Sequence, residues 1–271
     1  MGLEAPKLQI EARRTEPLPT DDDASASARY DLTRFTLADM VRCGRELRRL
    51  GVSSSQAMEE TADLIVRYLY EHFAERDSGR RGCVLVRLFK THRFADLGDD
   101  LREFAQALTP SARLSPDIKC LTMLASVGEE PNWNSRRDSR HHQAIPLLSE
   151  AALDEIPMIS RLLNQLGLKL SDLAPAQPEV VDDLQRRSFN VFHVPVARDS
   201  PVIPAQQDFV VPHGIESVLG FGGLLPDGNL FAVIIFARVP IPPATAEMFR
   251  TIALNVKMAL MPALHGRVFI E

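Results

Sequence analysis

Apolar and polar positions alternate most legibly between Gly214 and Leu260. Ser217 to Leu225 is apolar and glycine-rich. Pro226-Asp227-Gly228-Asn229 is a turn, with Pro presetting φ and Gly and Asn tolerating positive φ. Leu230 to Ala237 is an unbroken apolar run, as expected of a strand covered on both faces. Burying each Val, Leu, Ile or Phe contributes about 1.5–3 kcal/mol, which places Leu230, Phe231, Val233, Ile234, Ile235 and Phe236 at the centre of the core. A helix over Ala244 to Leu260 follows, with Met248, Ile252, Val256 and Leu260 on one face.

Earlier in the chain, Thr36-Leu37-Ala38-Asp39 approximates a capping box. Leu37, Met40, Val41, Gly44 and Leu47 share a helix face, and Gly51 reads as the stop. Ser53 with Gln56 predicts a second cap, before a helix carrying Met58, Ala62, Ile65, Val66, Leu69 and Phe73. Strands are expected at Gly82 to Phe89, Ile118 to Val127 and Phe189 to Val196. Helices are expected at Asp99 to Leu108, Glu150 to Ile156 and Met158 to Leu166. The segment Glu129 to Arg140 is polar and irregular, and Ser200 to Pro212 is a proline-containing excursion. Residues 1–29 are polar and read as a flexible N-terminal arm. Residues 30–271 read as a single α+β domain: a central antiparallel sheet flanked by helices from both ends of the chain.

This order and its ending resemble a GAF domain. The likeness rests on the amphipathic helix Met58 to Phe73 and the Ala125-Ser126-Val127-Gly128 strand end. It rests also on Ser217-Val218-Leu219-Gly220, the Asp227-Gly228 turn with its following strand, and the helix Ile252 to Leu260. Two departures are visible. Phe231-Ala232 stands where the family usually has Gly after the turn, and the variable middle segment, 129–213, is enlarged. The resemblance implies a GAF-like, PAS-related sheet. It also implies a sensory or regulatory module of signal transduction that binds a small molecule or dimerises.

Totals narrow the function classes. With 271 residues and a net charge of −5 the chain carries no overall electrostatic footprint for nucleic acid or an anionic membrane. No apolar stretch reaches the roughly 20 residues that span a bilayer. The N-terminus lacks an apolar h-region and the myristoylation pattern, and the reading is a cytoplasmic protein. Cys43, Cys83 and Cys120 are far apart and form no CxxC, which suits small buried thiols in a reducing compartment.

Gly220-Phe221-Gly222-Gly223 leads into a hairpin rather than a helix N-terminus, so it is not a phosphate loop. No HExxH and no GxSxG occur, and no catalytic residue or metal ligand is assigned. Some GAF-fold proteins reduce methionine sulfoxide with loop cysteines, but none of the cysteines here lies in those loops. A ligand pocket remains, expected where the resemblance puts it, between the sheet and the variable segment. Its candidate residues are Trp133, Arg136, Arg137, His141, His142, Gln206, Gln207 and His213. Arginines there suit an acidic ligand and Trp133 a planar one; Arg140 and Gln143 lie in the same segment. The sequence names no cofactor. The expected partners are a second copy, through the helices at 37–73 and 244–260, a small molecule and a signalling protein. The alternatives are an interaction scaffold without a ligand and a thiol- or metal-dependent enzyme on this fold.

Overall fold

The computed structural model describes residues 29–53, 57–75, 79–110, 113–139, 142–149, 152, 156–170 and 190–270. Its elements, in chain order, are α1 (Leu37–Ser53), α2 (Met58–His72), β1 (Cys83–Arg93), α3 (Asp99–Ala107), β2 (Lys119–Gly128), β3 (Ala144–Pro146), α4 (Pro157–Gln165), β4 (Asn190–Val194), β5 (Ser217–Leu224), β6 (Leu230–Ala237) and α5 (Pro243–Leu260). The strands form a six-stranded sheet in the order β3-β2-β1-β6-β5-β4, and every neighbouring pair is antiparallel. The α+β architecture read from the residue pattern is therefore the one observed.

Every residue of β5 and β6 is buried, as the continuous apolar run required. Their hairpin closes through Gly228 at φ 74° and a bond from its amide to the Leu225 carbonyl at 3.0 Å. One core lies between the sheet and the helical layer, where Leu69, Val86, Ile235, Phe249 and Val256 meet. α2 and α5 pack on the sheet, and α1 packs on α5. A second core covers the opposite face, with Leu85, Phe89, Ile234 and Phe236 under α4 and the segment around Val202 to Ile215. A third, small core at one end of the sheet gathers Leu97, Leu101 and Cys120.

The predicted cap at Thr36 forms. The Asp39 amide donates to Thr36 Oγ1 at 3.2 Å and the Thr36 amide to Asp39 Oδ2 at 3.1 Å. The predicted stop at Gly51 does not. α1 continues to Ser53, and Gly51 is there because α5 crosses against it: a Cβ at that position would lie 2.5 Å from Ala259 Cα. The second helix starts later than the Ser53/Gln56 pair predicts, at Met58. Glu60 reaches back to the Ala57 amide at 3.3 Å; Gln56 lies outside the described residues. The N-terminal arm at 1–28 and nearly all of the helix expected over Glu150 to Ile156 also lie outside them. β1 runs on through the Lys90-Thr91-His92-Arg93 stretch. Two features had no counterpart in the pattern, the short edge strand β3 and the π-helical turn Gln206–Val210.

After α5 the chain folds back to α2. The Met58 and Glu59 amides donate to the Arg267 and Val268 carbonyls, each at 2.9 Å. These carbonyls satisfy donors that a helix start leaves open.

Candidate functional site

The two irregular segments singled out in the sequence converge on the face of the sheet away from the helical layer. Trp133 lies on one. Phe209 and His213 lie on the other. The Trp133 ring meets His213 at 4.7 Å and Phe209 at 5.5 Å between centroids, and Phe209 in turn meets Phe236 of β6 at 5.0 Å. Gly128 makes room for this contact, since a Cβ there would sit 2.8 Å from Trp133 Cε3 and 3.0 Å from Leu85 Cδ1. The glycine that ends β2 thus lets the indole lie against the sheet. Asn134 closes the loop by accepting from the Gly128 amide at 3.2 Å.

The remaining candidates divide. Gln206 turns inward to its own loop, donating from Nε2 to the carbonyls of Ala197 (3.0 Å) and Ile203 (2.9 Å) and accepting from the Asp199 amide at 2.9 Å. It holds the segment's shape. Gln207 is exposed. His142 is partly buried at φ 65°. His141 and Arg140 lie outside the described residues.

Arg136 and Arg137 do not join Trp133 around one ligand, and this corrects the expectation that they form a common grip. The Arg136 guanidinium is buried and donates from Nε to Glu59 Oε1 at 2.7 Å. It also lies over the Phe269 ring at 4.9 Å. Arg137 donates to the Ile270 carbonyl at 2.8 Å, and the Ile270 amide donates to Glu59 Oε2 at 2.8 Å. Glu59 and the two arginines therefore fasten the C-terminal tail to the start of α2. Nothing in the polar spelling of 129–140 separates an arginine facing a ligand from one facing a buried glutamate, because Glu59 is 77 residues away in the chain.

Sequence reasoning passed over Arg87, in the middle of β1. It pairs in register with Ser126 of β2 and Ile234 of β6, one row along the same face from Leu85 and Gly128, where Trp133 sits. Its Nε donates to Ser126 Oγ and its Nη2 to Ser139 Oγ, both at 3.3 Å. No carboxylate among the described residues pairs with it. Burial alone pulls its guanidinium down to about 10. A charged residue inside GCVLVRLF, a run otherwise built for burial, was the available signal.

A polar cluster closes the far end of β1. Lys90 is buried and pairs with Asp227 at 3.2 Å, while Lys119 Nζ donates to Asn229 Oδ1 at 2.7 Å. Burial lowers both lysines. Burial pushes Asp227 up, but the Lys90 charge and the bonds from Asn229 outweigh it and hold the carboxyl below its usual range. His92, beside them, is buried with neither ring nitrogen hydrogen-bonded. Burial, reinforced by the Lys90 charge, pushes its imidazole down to about 3.

All three thiols are buried. Burial raises Cys43 and Cys83, and raises Cys120 to about 12. Among the described residues no group of three or more His, Cys, Asp or Glu is placed to hold a metal, and no helix is long and apolar enough to cross a membrane.

Fold and site together define an α+β domain: an antiparallel sheet with α1, α2 and α5 layered on one face, and α4 with an irregular, aromatic-anchored cover on the other. Solved structures similar to it include bacteriophytochrome RpBphP3 from the photosynthetic bacterium R. palustris, at 9% identity and a TM-score of 0.41 over 85% of this chain. The phycocyanobilin-bound GAF domain of a cyanobacterial phytochrome is similar at 11% identity and 0.37, covering 83% of this chain and 93% of that one. An N-acylhomoserine lactone dependent transcription factor of the LuxR family from Burkholderia cenocepacia is similar at 13% and 0.38, over 84% of this chain and 98% of that one. The chain spans 38% of the length of the bacteriophytochrome and 63% of its chromophore-binding domain. No family model and no curated protein matches the sequence.

Proposed function

We propose that the chain is a cytoplasmic, non-enzymatic sensory module that holds a small molecule between the sheet and its irregular cover and pairs with a second copy through its helical layer. The observation that carries the reading is the meeting of Trp133 with Phe209 and His213 over Gly128. Two loops distant in sequence share one aromatic anchor on the sheet, and aromatic side chains with a few polar groups are what small-molecule sites are built from. The pairing is motivated by Leu37 and Val41 of α1 and Leu254 and Met258 of α5, all exposed. Native mass spectrometry of the freshly purified protein tests both halves. Retained small-molecule mass that disappears in Trp133→Ala, on a dimer, is the expected result. A ligand-free monomer at high concentration would overturn the reading.

A second reading, an interaction scaffold without a ligand, is favoured by one feature. Along α2 runs an open groove of about 500 Å³ lined by Glu59, Glu60, Asp63, Arg67, Asn134 and Arg136. Ser126 of β2 and Ser135 of the Trp133 loop also line it, and its open, charged walls suit a polar protein surface better than an enclosed ligand.

A further inference from the structure

We infer that the C-terminal tail, residues 264–270, is a strap that lifts off the fold in acid, with His92 beneath it as the trigger.

The strap is held at few points, and polar groups are buried under it. The chain enters it through His265 and Gly266, both exposed. Its Arg267 and Val268 carbonyls accept from the Met58 and Glu59 amides, and its Ile270 is tied to Glu59 and Arg137. Between these ties one ring, Phe269, lies 5.4 Å from the His92 ring and 4.9 Å from the Arg136 guanidinium. His92 and Arg136 are 5% and 6% exposed. Among the described residues five buried side-chain nitrogens lack a hydrogen bond, and three of them are His92 Nδ1, His92 Nε2 and Arg136 Nη1. Both orphaned groups therefore lie against the same residue of the tail. A phenyl ring replaces water poorly as a partner for them, so closing the strap carries a desolvation cost that opening returns.

Protonation acts on that balance through His92. The charges acting on the imidazole are Lys90 on β1, Lys119 on β2, Asp227 in the β5–β6 turn and Asp96 after β1. Arg136, with Glu59 and Asp100, stands across Phe269. Under the closed strap, burial and the Lys90 charge keep the ring neutral down to about 3. Opened to water, it titrates toward the ordinary value of about 6.5. The closed form is thus fully favoured above about pH 6.5 and loses ground as pH falls, by a limit of about thirtyfold in the open-to-closed ratio at about pH 5. Lys90 and Lys119 stay beside the ring in the open form and hold the change below that limit. Release removes part of the groove wall along α2, since Ile270 lines it. It also uncovers the small core of Leu97, Leu101 and Cys120, on which Phe269 packs.

NMR of the ¹⁵N-labelled full chain between about pH 7.5 and about pH 4.5, a window around the free imidazole value, tests the strap. The Met58, Glu59 and Ile270 amides are expected to move to released positions as pH falls, while those of Val233 and Ile235 in β6 hold theirs. His92→Leu is expected to keep the strap closed over the same range, with unchanged β6 signals showing that it folds. Phe269→Ala supplies a test independent of that variant: the His92 ring, read from its Cε1–H shift, is expected to titrate close to the free value. Tail amides that move only together with β6, or move equally in His92→Leu, would overturn the strap as a device triggered by His92. A His92 ring that stays neutral throughout the window in Phe269→Ala would overturn Phe269 as its cover.

Discussion

Glu59→Gln tests how the C-terminal tail is held. The substitution keeps the shape and one acceptor but removes the charge that faces Arg136. The pair is shielded, with the Arg136 and Glu59 side chains 5% and 12% exposed, so solvent screening relieves little of the loss. Breaking a buried pair by removing one partner costs about 3–5 kcal/mol, because the other charge stays buried and uncompensated. Two contacts soften that figure. Asp100 Oδ2 lies 3.7 Å from Arg136 Nη1 but is mostly exposed, and the Phe269 ring contributes a cation–π contact of about 1 kcal/mol. The expected loss is therefore at the lower end, about 3 kcal/mol, a large share of the 5–15 kcal/mol typical of a domain. Urea unfolding monitored by circular dichroism measures it. Hydrogen exchange at the Met58 and Glu59 amides, which donate to the tail, reports the local release. Arg136→Met added to Glu59→Gln should recover part of the loss, since no lone cation is left. A loss below about 1 kcal/mol in the single variant, or a double variant worse than the sum of the singles, would refute the reasoning.

Three further outcomes are expected. His92 is neutral in the fold at about 3 and titrates near 6.5 when unfolded, so its contribution is complete above about pH 6.5 and declines as pH falls toward 3, by about 2 kcal/mol at pH 5; His92→Leu should flatten the stability profile across that window in pH-dependent urea melts. Gly222→Ala should cost more than about 3 kcal/mol or prevent folding, because the new Cβ meets backbone, including Ala232 Cα at 2.9 Å, which cannot yield as a side chain does; Gly167→Ala, with nothing within 4 Å and only the positive φ to disfavour it, should lose about 1 kcal/mol by the same chemical denaturation. Cys43, Cys83 and Cys120, buried and held in the thiol form, should react with iodoacetamide only as fast as the protein unfolds, counted by mass shift with and without urea.

Periodicity carried most of the fold because its cause is local. β6 was legible to the residue, Leu230 to Ala237, since a run buried on both faces leaves no polar position to mistake. The Thr36/Asp39 cap was legible for the same reason, as both partners sit within one turn. Gly51 was misread because a glycine within a close helix crossing is spelled like a glycine that ends a helix; only the Ala259 backbone, far along the chain, distinguishes them. Trp133 and His213 were picked out as residues, but their meeting was not visible, because it depends on a cleared position at Gly128. Arg136 and Arg137 looked like ligand residues because the groups that engage them, Glu59 and the tail at Ile270, are remote in sequence.

Counter-charge is what separates those arginines from Arg87. A cation that stabilises a fold is built with its anion, and the anion is found wherever the structure brings the chain together: Asp227 in the turn for Lys90, Glu59 at the start of α2 for Arg136. Each such pair is closed, and removing either member leaves the other costly, so both are read as structural. Arg87 departs from that pattern, with no carboxylate paired to it among the described residues, on the face of the sheet that the Trp133 loop covers. Its neighbours Ser126 and Ser139 are neutral, and their hydroxyls accept from Nε and Nη2 of the guanidinium. Arg136 and Arg137 of the loop, expected beside an acidic ligand, instead fasten the tail to the start of α2.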